Sequence, residues 1–236
     1  MIVGNGFISK AFKEFSHKFE NDIIFGSGVS NSSITDANYE LAREVALLGK
    51  YKTSNKKLIY FSTSSVFDKQ SKKSMYVKHK INIENYIQEH FDRYLIYRLP
   101  IVVGRSSNPN TLTNYLYDRV NSGEKINIHI NACRYLIDID DVVKYVCGTK
   151  NADNLVINLH LNTQLSIKSI VAIFERILDK RANCEFINKG DCYTLDNSLF
   201  INLIEEAEPF FIDSEFYVYN VIKKYYGSSE NESIKK

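Results

Sequence analysis

Apolar and polar positions alternate in blocks along this chain, and the blocks change period in a regular way. Met1 to Val3 is a short apolar run ending in Gly4-Asn5-Gly6, after which Phe7, Ile8, Ala11, Phe12, Phe15 and Phe19 recur at helical spacing. That predicts strand, glycine turn, helix. Asp22 to Phe25 reads as a second strand, followed by the small polar loop Gly26-Ser27-Gly28-Val29-Ser30-Asn31-Ser32-Ser33. A helix is expected from Asp36 to Leu48, with Ala37, Leu41, Val45 and Leu48 on one face and Gly49 placed to end it. Leu58 to Phe61 has the composition of a buried strand. A helix from Tyr76 to His90 follows, then a strand over Tyr94 to Val103 broken by Pro100 and stopped by Gly104. Strands alternating with helices predict an α/β fold: a Rossmann-like, mainly parallel sheet flanked by helices.

Beyond Gly104 the pattern becomes looser. An Asn- and Thr-rich loop precedes a helix over Leu112 to Asn121, short strands and a helix from Ser166 to Leu178. We expect a single domain over residues 1–226, with a small C-terminal substrate-facing lobe mainly in 105–226. The tail 227–236 (GSSENESIKK) lacks an apolar anchor and is expected to be disordered.

Composition narrows the partners. With 30 Lys+Arg against 28 Asp+Glu among 236 residues, the net charge of +2 makes no field suited to nucleic acid or an anionic membrane. No apolar run approaches the length of a membrane span, and the glycine turn begins too early to leave room for a signal peptide. Cys133, Cys147, Cys184 and Cys192 form no CxxC pair and have no histidine at metal-ligand spacing. They read as reduced structural thiols, with no metal site, in a cytoplasmic protein.

Gly4-Asn5-Gly6-Phe7-Ile8-Ser9 is GxGxxG with serine in the third place, set between a strand and a helix. Glycines there permit a tight turn and the close approach of a pyrophosphate to free N–H groups and the positive end of a helix dipole. A plain βα turn is the alternative. An acidic residue at the end of the second strand should bind the adenosine ribose, but Asp22 stands at its start and Gly26-Ser27-Gly28 at its end. NAD and NADP therefore stay equally open.

Tyr76 and Lys80 are four residues apart on one face of a helix, and Thr63 follows a strand at the carboxyl edge of the sheet, where open α/β folds bind ligands. Together with the glycine turn these residues resemble the extended short-chain dehydrogenase/reductases, the sugar-nucleotide epimerase/dehydratase branch. Phe61 to Phe67 is similar to that family's strand-end serine/threonine motif, Tyr76-Val-Lys-His-Lys80 to its YxxxK, continued by Glu84. Arg98-Leu99-Pro100 with Gly104 resembles the strand closing over the nicotinamide. Arg134-Tyr-Leu-Ile-Asp-Ile-Asp-Asp141 resembles a later segment, as do Asn158-Leu-His and Ser166-Ile167.

The resemblance implies an NAD(P)-dependent reductase or epimerase of a nucleotide-activated 4-keto sugar in surface polysaccharide synthesis, with Thr63, Tyr76 and Lys80 catalytic. It implies cofactor contacts at Gly4, Asn5, Gly6, Phe7, Ile8, Ser27, Gly28, Ser62, Tyr76, Lys80, Pro100 and Val103. Ser64, Asn108, Asn110 and Arg134 would face a nucleotide-sugar substrate, and a homodimer would form through the YxxxK helix and its neighbour. The lysine cation should bring the Tyr76 phenol, ordinarily near pKa 10, toward a useful acid/base range. Ser64-Ser65 replace the Asp-Glu of the 4,6-dehydratases, which leaves reduction or epimerisation. Arg134 reads equally as a surface arginine paired with an aspartate, and Asn108-Pro-Asn110 as an ordinary turn. Lys69, Lys72, Lys73 and Lys78 read as solvated, and His79 as an exposed surface histidine. Asp141 reads as the cap of a helix beginning at Val142.

One departure qualifies the pattern. Too few strand–helix units separate the first helix from Leu58, so Gly26-Ser27-Gly28 fits the end of the family's fourth strand better than its second. Much of the adenine-side half-sheet is then missing. A sugar-nucleotide binding or regulatory protein without effective dinucleotide binding is the alternative reading.

Overall fold

The structure is a computed structural model that describes residues 1–30, 36–204 and 213–227. Asn31 to Ser33 of the polar loop, and the tail beyond Gly227, lie outside the described residues. The chain divides into two compact units. One holds Met1–Pro100, Ile139–His160 and a segment from Tyr193; the other holds Ile101–Asp138, Leu161–Cys192 and a C-terminal segment.

In the first unit, β1 (Ile2–Val3) leads into α1 (Phe7–Ala11), then a 3-10 turn (Lys13–Phe19) and β2 (Asp22–Phe25). After α2 (Ala37–Gly49) come β3 (Lys57–Thr63), two 3-10 turns (Ser64–Phe67 and Ser71–Lys73), α3 (Met75–His90) and β4 (Tyr94–Leu99). Local chemistry fixes these ends. Asp36 accepts from the Tyr39 amide at the start of α2, and Ser74 from the Val77 amide at the start of α3. The first helix is shorter than its periodicity predicts: Phe12 and Phe19 turn into the core on the 3-10 segment, both fully buried.

Five strands of the first unit pair in the order β1-β2-β3-β4-β8, the last being β8 (Leu155–Asn158), and every pair is parallel. This is a mainly parallel Rossmann-like sheet, as expected, with one consequence of the short N-terminal half. Among the described residues β1 is an edge strand, so the sheet grows in one direction from it, without the reversal of strand order at which doubly wound folds open their crevice. The expectation of a cut-down half-sheet agrees with this order. Leu58, Tyr60, Ile83, Ile87 and Ile96 form the core between the sheet and α2 and α3.

Pro100 divides the strand predicted over Tyr94 to Val103. It lacks the N–H a ladder needs, and on its far side β5 (Ile101–Val103) belongs to the second unit. There, α4 (Leu112–Ser122) precedes β6 (Ile126–His129) and β7 (Cys133–Asp138). β7 lies between β5, parallel, and β9 (Gln164–Ser166), antiparallel. α6 (Ile167–Leu178), β10 (Cys184–Ile187) and α8 (Ser214–Tyr226) complete this unit; β10 pairs with β6. Two further helices belong to the first unit: α5 (Ile139–Thr149), which leads into β8, and α7 (Ser198–Leu203). Asp141 is therefore inside the first turn of α5 rather than its cap, where a carboxylate still meets the positive helix end.

Cys133 and Cys192 form a disulfide, with Cα atoms 4.7 Å apart, in place of the two reduced thiols expected. Sequence spacing could not show this, because 59 residues separate the pair, and it is the pairing of β10 with β6 and the bond from the Cys133 amide to the Asp191 carbonyl that bring them together. Cys147 and Cys184 are free. No helix among the described residues is long and apolar enough to cross a membrane.

Candidate active site

The glycine turn is built by close packing. Gly4 has φ +102°, in the region that favours glycine, and a Cβ there would lie 3.0 Å from the Gly26 carbonyl. Ser9, the small residue in the third place, is fully buried and donates from Oγ to the Val3 carbonyl at 3.2 Å. Gly6 leaves its side open, with only the Gly26 oxygen 3.7 Å from where a Cβ would stand. Asn5 Oδ1 accepts from Lys13 Nζ. The side left bare at Gly6 fits a dinucleotide's close approach, whereas at Gly4, Gly26 and Gly28 the space a Cβ would need is taken by the protein itself. The five-residue α1, however, contributes less dipole than the helix expected.

Thr63 ends β3, and its Oγ1 accepts from the Ser65 amide at 3.1 Å. The Thr63 hydroxyl stands within reach of the Tyr76 phenol and acts on it electrostatically. Two of the three residues expected to be catalytic therefore meet. Lys80, 3 % exposed, instead donates to the Tyr60 hydroxyl at 2.9 Å and the Phe61 carbonyl at 3.1 Å. The expectation that a lysine cation lowers the Tyr76 phenol is corrected. Burial pushes it up to about 12; the Thr63 hydroxyl works against that and the Glu44 charge adds to it. Tyr76 is held as the protonated phenol at neutral pH.

Beneath the pair lies a cluster not foreseen from sequence. Glu44, fully buried, accepts from Tyr60 Oη at 2.7 Å on one oxygen and from the Val29 amide at 3.0 Å on the other, which also meets His79 Nε2 at 2.8 Å. Burial pushes this carboxyl up, but the bonds from His79 and Tyr60 and the charge of Lys80 outweigh it and hold the carboxyl below its ordinary value. Lys80 is lowered by burial, against Glu44 and Glu84. His79 is thus core, 1 % exposed, which corrects the surface reading. Its neighbours Lys72, Lys73 and Lys78, and Lys69 before them, are exposed as expected.

Ser62 and Ser64 are buried beside Thr63. Ser62 donates to Glu84 at 2.5 Å, and Glu84 takes Arg98 through Nε at 3.1 Å and Nη2 at 2.5 Å. This ties the serine motif, α3 and β4 together beside Pro100.

The proposed substrate-facing residues belong mostly to the second unit. Asn108 Oδ1 accepts from the Asn110 amide, and Asn114 Nδ2 bonds the Ser106 and Asn108 carbonyls, so this segment is a side-chain-stabilised turn. Arg134 Nη1 donates to the Cys133 carbonyl at 2.7 Å. Val103, expected to meet a cofactor, is fully buried in the core of this unit.

No protein-family description matches the chain, and no curated protein matches it in sequence. Solved structures share its fold. UDP-glucose 4-epimerase from Thermus thermophilus, solved with NAD, aligns with 94 % of this chain and 82 % of its own at TM-score 0.68 and 13 % identity. UDP-glucuronic acid 4-epimerase from Bacillus cereus, solved with UDP-glucuronic acid and NAD, aligns over 93 % and 79 % at TM-score 0.68 and 20 % identity. dTDP-glucose 4,6-dehydratase from Bacillus anthracis, solved with NAD, aligns over 93 % and 77 % at TM-score 0.63 and 14 % identity. The chain has the Rossmann-like fold of NAD-dependent epimerase/dehydratase enzymes, over about nine-tenths of its length.

Proposed function

We propose that this protein is an NAD(P)-dependent reductase or epimerase acting on the 4-position of a nucleotide-activated sugar, in surface polysaccharide synthesis. The observation that carries the reading is the Thr63–Tyr76 hydroxyl pair at the carboxyl end of a central parallel strand, with a buried Lys80 one helical turn further on. The fold shared with epimerases solved with NAD supports it.

Gly4, Asn5, Gly6, Phe7, Ile8, Ser27 and Gly28 would hold the dinucleotide, with Ser62, Lys80 and Pro100 toward its nicotinamide end. When bound, the nicotinamide supplies or accepts hydride. The chain's own part is proton handling. Tyr76, kept protonated by burial, gives its proton to a carbonyl oxygen as charge develops there, and Thr63 fixes that oxygen's position. In the reverse direction Tyr76 takes the proton back. Lys80 provides a fixed positive charge close to the site, and Ser64, Asn108, Asn110 and Arg134 would bind the nucleotide sugar. Arginine suits the diphosphate because its planar fork matches two phosphate oxygens. A reaction drawing on nucleotide pools is proposed for the cytoplasm, in a homodimer.

The test is fluorescence titration of NADH and NADPH against the purified protein, with turnover of UDP- and dTDP-sugars. Binding of at least one dinucleotide is expected, and Tyr76→Phe should abolish turnover while leaving that affinity nearly intact. Retained turnover in Tyr76→Phe would overturn the mechanism. Failure of both dinucleotides to bind, with a UDP-sugar still raising the melting temperature, would establish a sugar-nucleotide binding protein instead.

A further inference from the structure

We propose that Glu44 is a positioning residue for Lys80: acting through the Tyr60 phenol, it is the anion that fixes the buried ammonium at the floor of the site. The consequence for cofactor binding rests on the function proposed above; the positioning itself does not.

Hydrogen-bond inventory gives the chain of contacts a direction. Tyr60 has one hydrogen. A carboxylate at 2.7 Å offers only acceptors, so the phenol donates to Glu44 and must accept from Lys80 at 2.9 Å. The order is Lys80 to Tyr60 to Glu44. Glu44 is satisfied on its other oxygen by the Val29 amide and by His79, in the tautomer carrying hydrogen on Nε2; His79 Nδ1 has no partner among the described residues. Lys80 has three N–H bonds, and two go to Tyr60 and Phe61. The third has no protein partner among the described residues. It is the donor left for a ligand hydroxyl, in a direction set by the other two.

Burial makes the anion necessary. An ammonium removed from water loses hydration that only a nearby counter-charge and hydrogen bonds can offset. The titratable groups facing Lys80 are Glu44 on α2, Tyr60 on β3 and Glu84 on α3, while Tyr76 and His79 act on Glu44. Glu84 is taken up by Arg98 and Ser62. Glu44 has no arginine or second lysine among the described residues; His79 takes its Oε2, and Oε1 faces Lys80 through Tyr60. Gly28 shows how closely the cluster is fitted: a Cβ there would stand 2.8 Å from Glu44 Oε1, 3.1 Å from Lys80 Nζ and 3.4 Å from Tyr60 Oη. Glycine at 28 is therefore a requirement of the cluster itself.

The experiment follows the Lys80 side chain by NMR of the full chain with ¹³Cε-labelled lysine, the resonance being assigned by its loss in Lys80→Arg. Removing the anion in Glu44→Gln should lower the Lys80 titration midpoint by about one pH unit or more. Tyr60→Phe, which keeps the ring and removes only the link, should shift it in the same direction by less. NADH affinity should fall about tenfold in Glu44→Gln. An unchanged Lys80 midpoint in folded Tyr60→Phe and Glu44→Gln would overturn the proposal; should Glu44→Gln not fold, Tyr60→Phe decides alone. Because the titration is read without cofactor, a wild-type protein that binds no dinucleotide would sink the proposed function and leave this result standing.

Discussion

Replacing Gly26 by alanine tests how the glycine turn is held. Gly26 lies outside the left-handed region, so alanine meets no backbone objection. The difficulty is contact: the new Cβ would stand 2.2 Å from Ser9 Oγ, 3.1 Å from Ser9 N and 3.3 Å from Ser9 Cα. Ser9 has little room to turn away, since it is fully buried and its Oγ is tied to the Val3 carbonyl. The buried bond to Val3 is lost, at about 1 kcal/mol, and α1 backs off, at about 1–3 kcal/mol for an overpacked site. Alanine recovers about 0.4–1 kcal/mol by restricting the unfolded chain. A net loss of about 1–3.5 kcal/mol is expected in urea unfolding followed by circular dichroism. Ser9→Ala removes the 2.2 Å contact, so the double variant should be less destabilised than the sum of the singles, with a coupling of about 1–2 kcal/mol. NADH affinity should fall with Gly26→Ala as the turn is displaced. A loss below about 0.5 kcal/mol, or additivity within that margin, would refute this account of the packing.

Further outcomes follow from other contacts. Glu84→Ala strips the partner from Arg98 and Ser62 and should cost about 3 kcal/mol, seen as a fall of about 6–12 °C in melting temperature; Glu84→Gln should lose less. Glu44, whose folded pKa is depressed, contributes stability that is present above the ordinary glutamate pKa of about 4.3 and lost as pH falls through its lower folded value. Urea titrations at about pH 7 and below about pH 4 should show a shallower acid loss in Glu44→Gln. Opening the 59-residue Cys133–Cys192 link with dithiothreitol should reduce stability by up to about 4 kcal/mol in the loop-entropy account, and Cys192→Ser should reproduce the effect without reductant. Tyr226 donates to Asn114 Oδ1 at 2.6 Å and accepts from the Thr113 hydroxyl at 3.0 Å, so Tyr226→Phe should cost about 1 kcal/mol in the same assay.

Much of the sheet unit was legible because single residues punctuate it. Asp22 to Phe25 is a strand with the predicted bounds since all four residues are buried, and Asp36 and Ser166 cap helices within one residue of the expected starts. Pro100 marked the break but not that it separates two units, which depends on distant pairing with Leu136 to Asp138. Thr63 and Tyr76 were found together because strand end and helix face are local features. Their electrostatics were not, since the sign of the Tyr76 shift depends on burial and on Glu44, far earlier in the chain. A signal for Glu44 did exist. It lies on the apolar stripe of α2 between Leu41 and Leu48, at spacings of three and four, and His79 stands four before the buried Ile83 on α3. A charged or ring-polar residue inside such a stripe needs a buried partner, although its identity requires the packing of α2 on α3.

The order of strands also sets a schedule for synthesis. β4 is complete at Leu99, whereas β8, which covers its far side, begins at Leu155 after the chain has made much of the second unit. At translation rates of roughly 5–20 residues per second, the apolar stretch Tyr94–Leu99 waits on the order of 3–11 s as an open sheet edge. An exposed apolar edge is the form in which strands pair with the wrong chain. Slowing translation between Gly104 and Leu155 should therefore lower soluble yield, while the finished protein would show no trace of the delay.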